Sequence, residues 1–82
     1  MEESKYLEIH KEKMIAFGQM IKEKRNELGV SLENVAKETG IGKAYLSRIE
    51  RGDRGNPSFI IVYELCRYFN IDISNILSNP AA

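Results

Sequence analysis

Two short amphipathic segments, separated by a turn centred on a glycine, occupy residues 31 to 52, SLENVAKETGIGKAYLSRIERG. Ser31 is placed to cap the first segment as a helix, because its hydroxyl can accept a backbone N–H of the first turn. Gly40 is placed to end that helix, since glycine adopts the left-handed backbone conformation without steric cost. The apolar residues between them share one face at helical spacing: Leu32, Val35 and Ala36. The segment therefore predicts two helices packed closely across a tight turn.

The second segment predicts a helix with one apolar face and one basic face. Ile41 is the apolar residue that fills the inside of the turn, and Gly52 ends the helix. The inner face is apolar: Tyr45, Leu46 and Ile49. The outer face is polar, starts with small residues and carries three positive charges: Lys43, Ala44, Ser47, Arg48 and Arg51. Such a face suits a helix between the phosphates of a DNA major groove, and the spacing is that of a helix-turn-helix. From this pattern alone, an ordinary helical hairpin with a solvated basic face is the alternative.

The charge of the chain is balanced overall, with 12 basic and 12 acidic residues among 82. Strong basicity is the usual mark of a nucleic-acid-binding protein, and it is missing here. Residues 41 to 55, however, contain four basic residues against two acidic ones. A basic face of this size implies few phosphate contacts per subunit, which favours binding as a homodimer.

Several classes of protein are disfavoured by the sequence. No apolar run approaches the roughly 20 residues of a membrane span, and the N-terminus lacks a signal-peptide core. The single cysteine, Cys66, excludes an intrachain disulfide and is expected in the core of a cytoplasmic, nucleoid-associated protein. The one histidine, His10, lies in a charged segment, no Cys and His residues have metal-ligand spacing, and no phosphate loop occurs. We therefore expect no enzymatic activity, no cofactor, no metal and no membrane partner.

Further helices are predicted before the helix-turn-helix. Residues 4 to 13 predict an N-terminal helical extension, and residues 16 to 28 the first core helix, with Gly18 breaking or bending the junction. The inward residues of this core helix are expected to be Phe17, Ile21 and Leu28. The predicted units are an extension over 1–15, a helix-turn-helix domain over 16–77 and a flexible tail over 78–82.

An apolar helix and a short final helix are predicted after it. The apolar helix covers roughly residues 58 to 69, and Asn70 suits a left-handed cap at its end. Its candidate N-caps are Ser58 and Asn56. Asp72 can then cap a last helix from Ile73 to Leu77. This region is more apolar than a monomer of this size needs, so a second subunit is expected to contact it. The candidates for dimer contact are Tyr68, Phe69, Ile71, Ile73, Ile76 and Leu77.

A larger set of residues extends the pattern along most of the chain, over about 16 to 77. It includes the segments YLSRIERG and NPS, the ending IDISNIL, and the single positions Arg25, Gly29, Ala36 and Gly40. Together these residues resemble the Cro/CI-type (XRE) helix-turn-helix family, with similarity to SinR-type DNA-binding domains and to restriction-modification controller proteins. The resemblance implies an all-α, compact five-helix, lambda-repressor-like DNA-binding domain.

The resemblance also implies roles for individual residues. The residues expected to contact bases are Lys43, Ala44 and Arg48, although Arg48 is equally suited to a phosphate. The residues expected to contact phosphates are Ser31, Gly42, Tyr45, Ser47, Arg51 and Arg54. Tyr45 alternatively belongs to the core alone. Arg25 and Glu50 match a pair that forms a salt bridge inside this fold, and we assign them to architecture rather than to DNA contact.

Two functions from different classes fit these features. The first is a sequence-specific DNA-binding transcriptional regulator, expected to be a repressor, which binds a palindromic operator as a homodimer. Its two recognition helices would enter the major groove one turn apart, about 34 Å. The second is a protein-binding module, such as an antitoxin, inhibitor or adaptor, with a protein partner in place of DNA. Zero net charge and the apolar surface favour the second function, and DNA affinity at low salt discriminates between them.

Overall fold

The described residues of the computed structural model are 10–53, 57–72 and 74, and all their regular structure is α-helical. The helices are α1 (Lys11–Leu28), α2 (Leu32–Thr39), α3 (Lys43–Glu50) and α4 (Phe59–Phe69). The all-α class is therefore confirmed for this part of the chain. The predicted final helix lies outside the described residues apart from Ser74, so the count of five helices is not established. Within the described ranges, no helix has the length and hydropathy of a transmembrane segment.

The predicted helix ends after α1 agree with the structure. The Ser31 hydroxyl accepts a hydrogen bond from the backbone N–H of Asn34 at 3.1 Å, and α2 begins at the next residue. The Ser58 hydroxyl caps α4 in the same way, while Asn70 ends α4 in the left-handed conformation with φ of 56°. The two serine hydroxyls satisfy backbone N–H groups locally and Asn70 tolerates the left-handed conformation, so these residues set the helix bounds largely independently of packing.

Asp72 is positioned as the sequence predicts for the start of another helix. Its carboxylate accepts hydrogen bonds from the backbone N–H and the hydroxyl of Ser74, at 2.9 and 2.8 Å. These two bonds favour the ionised form and hold the pKa of Asp72 below its ordinary value.

Three expectations for the first core helix are wrong. The helix begins at Lys11 rather than at residue 16, and it continues unbroken through Gly18. A glycine costs a helix interior only about 1 kcal/mol, which packing of α1 against α3 offsets. Leu28 does not face inward: it lies in the last turn of α1 and is 58% exposed. Helical spacing places Leu28 on the side of Ile21, but it does not show how far along α1 the packing against other helices extends.

The core draws side chains from all four helices and from the turn between α2 and α3. Its buried apolar residues are Phe17, Ile21, Val35, Ile41, Leu46, Ile49, Leu65, Cys66 and Phe69. Helix α3 packs against α1 and α2, and α4 packs against α1 and α2. Because α3 contacts two other helices, its inner face is covered and its outer face is left to solvent.

The closest approach within this core is between the backbones of α1 and α3. Gly18 is buried against the C-terminal turn of α3, and a Cβ at this position would overlap the carbonyl oxygen of Ile49. It would also lie 3.3 Å from the carbonyl oxygen of Glu50. Only glycine therefore permits this crossing, and the crossing sets the position of α3.

We expect Gly18→Ala to lower the free energy of unfolding by about 1–3 kcal/mol or more, because two backbones must move apart. In an ordinary helix interior the same change would be stabilising. Gly42→Ala is the matched control, since an added Cβ there would meet no described atom within 4 Å and its φ is an ordinary −61°. It should cost less than about 1 kcal/mol. Urea denaturation measures the free energy of unfolding of both variants. Equal values would contradict the close crossing of α1 and α3.

Candidate nucleic-acid interface

The turn between α2 and α3 is stabilised by hydrogen bonds to the side chain of Thr39. Gly40 adopts the left-handed conformation with φ of 78°, and Ile41 inserts into the core. The Thr39 hydroxyl donates to the carbonyl of Val35 at 2.7 Å and accepts the backbone N–H of Ile41 at 3.2 Å. No role for Thr39 is predicted from the sequence, although a threonine just before the turn glycine is suited to this bond.

The two faces of α3 divide as the sequence predicts. Leu46 and Ile49 are buried, and Tyr45 is half-buried with its side chain packed against the core. The outer residues Lys43, Ala44, Arg48 and Arg51 are exposed, as is Gly42 before them, and Ser47 on the same side is half-buried. The structure thus brings the predicted base-contacting residues together on one open face, next to most of the predicted phosphate-contacting residues. Arg54 lies outside the described residues.

The cations of this face are partly compensated by nearby acids. The Lys43 ammonium lies 3.4 Å from the carboxylate of Glu33 on α2. Arg51 donates to the carboxylate of Asp53 at 3.0 Å and to the hydroxyl of Ser47 at 2.9 Å. Among the described residues, Arg48 has no acidic partner within ion-pair distance. In the described part of the chain, the face therefore combines a guanidinium that has no acidic partner with two cations that are paired to acids.

Behind this face, Arg25 and Glu50 form the ion pair that the sequence predicts. Arg25 donates from Nε and Nη2 to the two carboxylate oxygens of Glu50, at 2.7 and 3.1 Å. A third bond runs from Nη1 to the carbonyl of Val30 at 3.1 Å. The side chains are 17% and 6% exposed, and hydrogen bonding to Glu50 raises the pKa of Arg25. The pair joins α1 to the end of α3 and to the segment that leads into α2.

The predicted dimer residues are distributed unevenly between core and surface. Phe69 lies in the core and is 5% exposed, because helical spacing places it on the same side as Leu65 and Cys66. Tyr68 and Ile71 are half-buried, whereas Ile73, Ile76 and Leu77 lie outside the described residues. Phe69 is thus unavailable for direct contact with a second subunit.

The exposed apolar surface of α4 lies in the N-terminal half of the helix. Phe59, Ile60 and Tyr63 are exposed, and the rings of Phe59 and Tyr63 lie 6.2 Å apart. The sequence contained the signal for this surface, since α4 is apolar on almost every side. Which of its sides would be covered depended on the placement of the other helices.

Two further observations concern the cysteine and metal-ligating side chains of the described residues. Burial raises the pKa of the Cys66 thiol, as expected for a core cysteine that is poorly reactive. In the same part of the chain, no three His, Cys, Asp or Glu side chains are grouped so that they could hold a metal ion.

Comparison with known proteins assigns this arrangement to a family. The family model described as "Helix-turn-helix" matches residues 21–76, which include α2, the turn, α3 and α4. The chain belongs to the XRE-type helix-turn-helix family. The match begins within α1 at Ile21, so the first turns of α1 lie before the region that the family model describes.

Curated relatives of this helix-turn-helix protein are named as transcriptional regulators. "HTH-type transcriptional regulator SinR" of Bacillus licheniformis is 36% identical over 61 residues, which are 74% of this chain and 55% of that protein. SinR of Bacillus subtilis (strain 168) is 37% identical over 60 residues, or 73% and 54% of the two chains. "HTH-type transcriptional regulator SutR" of Escherichia coli (strain K12) is 32% identical over 60 residues, or 73% and 33%. The chain spans a little over half the length of the two SinR proteins.

We expect Glu50→Ala to lower the free energy of unfolding by about 3–5 kcal/mol, because it leaves the Arg25 guanidinium without its partner. Glu64→Ala is the matched control: Glu64 pairs within α4 with the exposed Arg67 at 2.8 Å, where water screens the charges, so its loss should cost much less than the loss of Glu50. Thermal and urea denaturation give both values. If the two variants were equally stable, the Arg25–Glu50 pair would not hold α3 in place.

Proposed function

We propose that this chain is a sequence-specific DNA-binding transcriptional regulator, a repressor that occupies a palindromic operator as a homodimer. The observation that carries the proposal is the outer face of α3, which presents Lys43, Ala44 and Arg48 on one open surface. A helix with this face fits the major groove when its opposite face is held by the protein core. The names of the SinR and SutR relatives support the regulatory part of the proposal.

Bases are read in this proposal by the first turn and a half of α3. Lys43 donates to guanine O6 and N7, and the Ala44 methyl contacts a thymine methyl. Arg48, whose guanidinium has no acidic partner among the described residues, is available for a bidentate contact with guanine.

Phosphates are contacted at the margins of the same face. Ser31 and Gly42 mark the N-termini of α2 and α3, where unpaired backbone N–H groups attract anions. Arg51, oriented by Ser47 and Asp53, adds a charged contact at the other end of α3. Tyr45 and Arg54 complete the proposed set of phosphate contacts.

A homodimer is proposed because one such face offers few charged contacts, whereas two faces one turn apart multiply the affinity. Tyr68, Ile71, Ile73, Ile76 and Leu77 are the proposed contact residues. Phe69 supports them from the core, and its ring packs edge-on against Tyr68 with centroids 4.8 Å apart.

The exposed apolar residues Phe59, Ile60 and Tyr63 favour a second candidate function. A protein-binding module would use such a surface to hold a protein partner, with DNA binding weak or absent. This alternative predicts that the folded protein has no DNA affinity even at low salt.

Selection from random duplex DNA, at about 100 mM salt, tests the proposed function directly. We expect the enriched sequences to contain a palindrome whose half-sites lie about 34 Å apart, as two recognition helices of one dimer require. A folded protein that enriches no sequence would exclude sequence-specific regulation and favour the protein-binding module.

Substitutions on α3 should separate base readers from phosphate anchors. Lys43→Ala and Arg48→Ala should each relax preference at one position of a half-site and cost about 1–3 kcal/mol on the selected site. Arg51→Ala should weaken binding to every sequence and reduce the slope of affinity against salt by about one unit. Fluorescence anisotropy on selected and random duplexes at several salt concentrations measures these effects. Equal losses on both duplexes for all three variants would contradict the division.

A further inference from the structure

The ion pair between Glu33 and Lys43 places a carboxylate beside the first residue of the proposed DNA-binding face. Glu33 lies in the first turn of α2 and Lys43 begins α3, so the pair bridges the two helices of the motif. The ammonium and carboxylate are 3.4 Å apart, and the side chains of Lys43 and Glu33 are 57% and 77% exposed. An acid on this surface opposes binding to phosphates and therefore needs an explanation.

Stability does not explain the pair. Ion pairs this exposed contribute little to stability, because water screens the charges and two long side chains must be ordered. A negative charge in the first turn of α2 also favours the helix dipole, but any acid in that turn would serve equally well. What distinguishes Glu33 from such an acid is its contact with the first residue of α3.

The contact restricts where the Lys43 ammonium can go. Lysine is a flexible point charge that binds a phosphate on any sequence as readily as it binds a base edge. A phosphate bound by the ammonium would bring its own negative charge close to the Glu33 carboxylate. A guanine edge brings no such charge, and because an ammonium has three N–H donors, Lys43 can donate to the base and to Glu33 together.

We infer that Glu33 is a specificity-determining residue, which acts by keeping Lys43 directed at a base instead of at the phosphates. The inference rests on the proposed function. Glu33 lowers affinity for all DNA but lowers it most for sequences that offer Lys43 no base partner. Discrimination thus arises from a penalty on the wrong sequences as well as from contacts with the right one.

The test compares charge and geometry at position 33. Glu33→Gln should raise affinity for a pool of random duplexes about two- to fivefold, while affinity for the wild-type selected duplex rises less. Glu33→Asp keeps the charge but shortens the side chain by one methylene, so it should lose discrimination as Glu33→Gln does. Glu38→Gln is the matched control, because this exposed residue makes the same charge change on another side of α2. It should alter affinity for both DNAs equally.

The same assay measures whether the effect of Glu33 on discrimination depends on Lys43. In a Lys43→Met background, Glu33→Gln should no longer change the ratio of affinities for selected and random DNA. In a selection from random duplexes, Glu33→Gln should weaken preference at the base pair that Lys43→Met affects. Circular dichroism melting checks that each variant is folded.

The inference is overturned if Glu33→Gln leaves the affinity ratio unchanged, or if Glu33→Asp behaves as the wild type, since charge alone would then suffice. Loss of preference at a base pair that Lys43→Met does not affect would also overturn it, because Glu33 would then read a base itself. In each of these cases the wild-type protein still enriches a specific sequence, so the proposed function is not affected. A wild-type protein that enriches no sequence refutes both.

Discussion

The position of α3 depends on its contact with α1 at two points. Gly18 lets the backbones of the two helices meet at Ile49, and Arg25, two turns further along α1, binds the Glu50 carboxylate. The first contact is steric and tolerates no side chain, whereas the second is electrostatic and satisfies a charge that is almost wholly buried. Together they hold the C-terminal end of α3 in a fixed orientation, so that its opposite face is presented as a rigid surface.

Acidic side chains are paired with cations both between α1 and α3 and on the exposed face of α3. Glu50 neutralises an arginine of the scaffold, while Glu33 and Asp53 are paired with cations of the exposed face. This local pairing is consistent with a chain of zero net charge that nevertheless presents a basic helix. In the proposed regulator, affinity for DNA in general is therefore low, and selectivity depends on a few directed side chains.

Helix α4 has a side that is buried in the core and a beginning that is exposed. One side carries Leu65, Cys66 and Phe69 into the core, while Phe59 and Ile60 at its beginning are exposed. The helix is so uniformly apolar that its sequence shows neither which side is buried nor where the burial ends. Packing against α1 and α2 decides this, and it moves Phe69 from the expected contact surface into the interior.

The sequence left the cap of α4 open between Ser58 and Asn56, but the other local features follow from it: the serine cap at 31, the turn at Gly40, the cap at Asn70 and the two faces of α3. Each depends on the backbone preferences of one residue or on helical spacing, so neighbours in sequence suffice to predict it. Tertiary structure decided the continuous path of α1 through Gly18, the exposure of Leu28 and the pairing of Glu33 with Lys43. These features depend on where a second helix lies and ends, which periodicity along one helix does not contain.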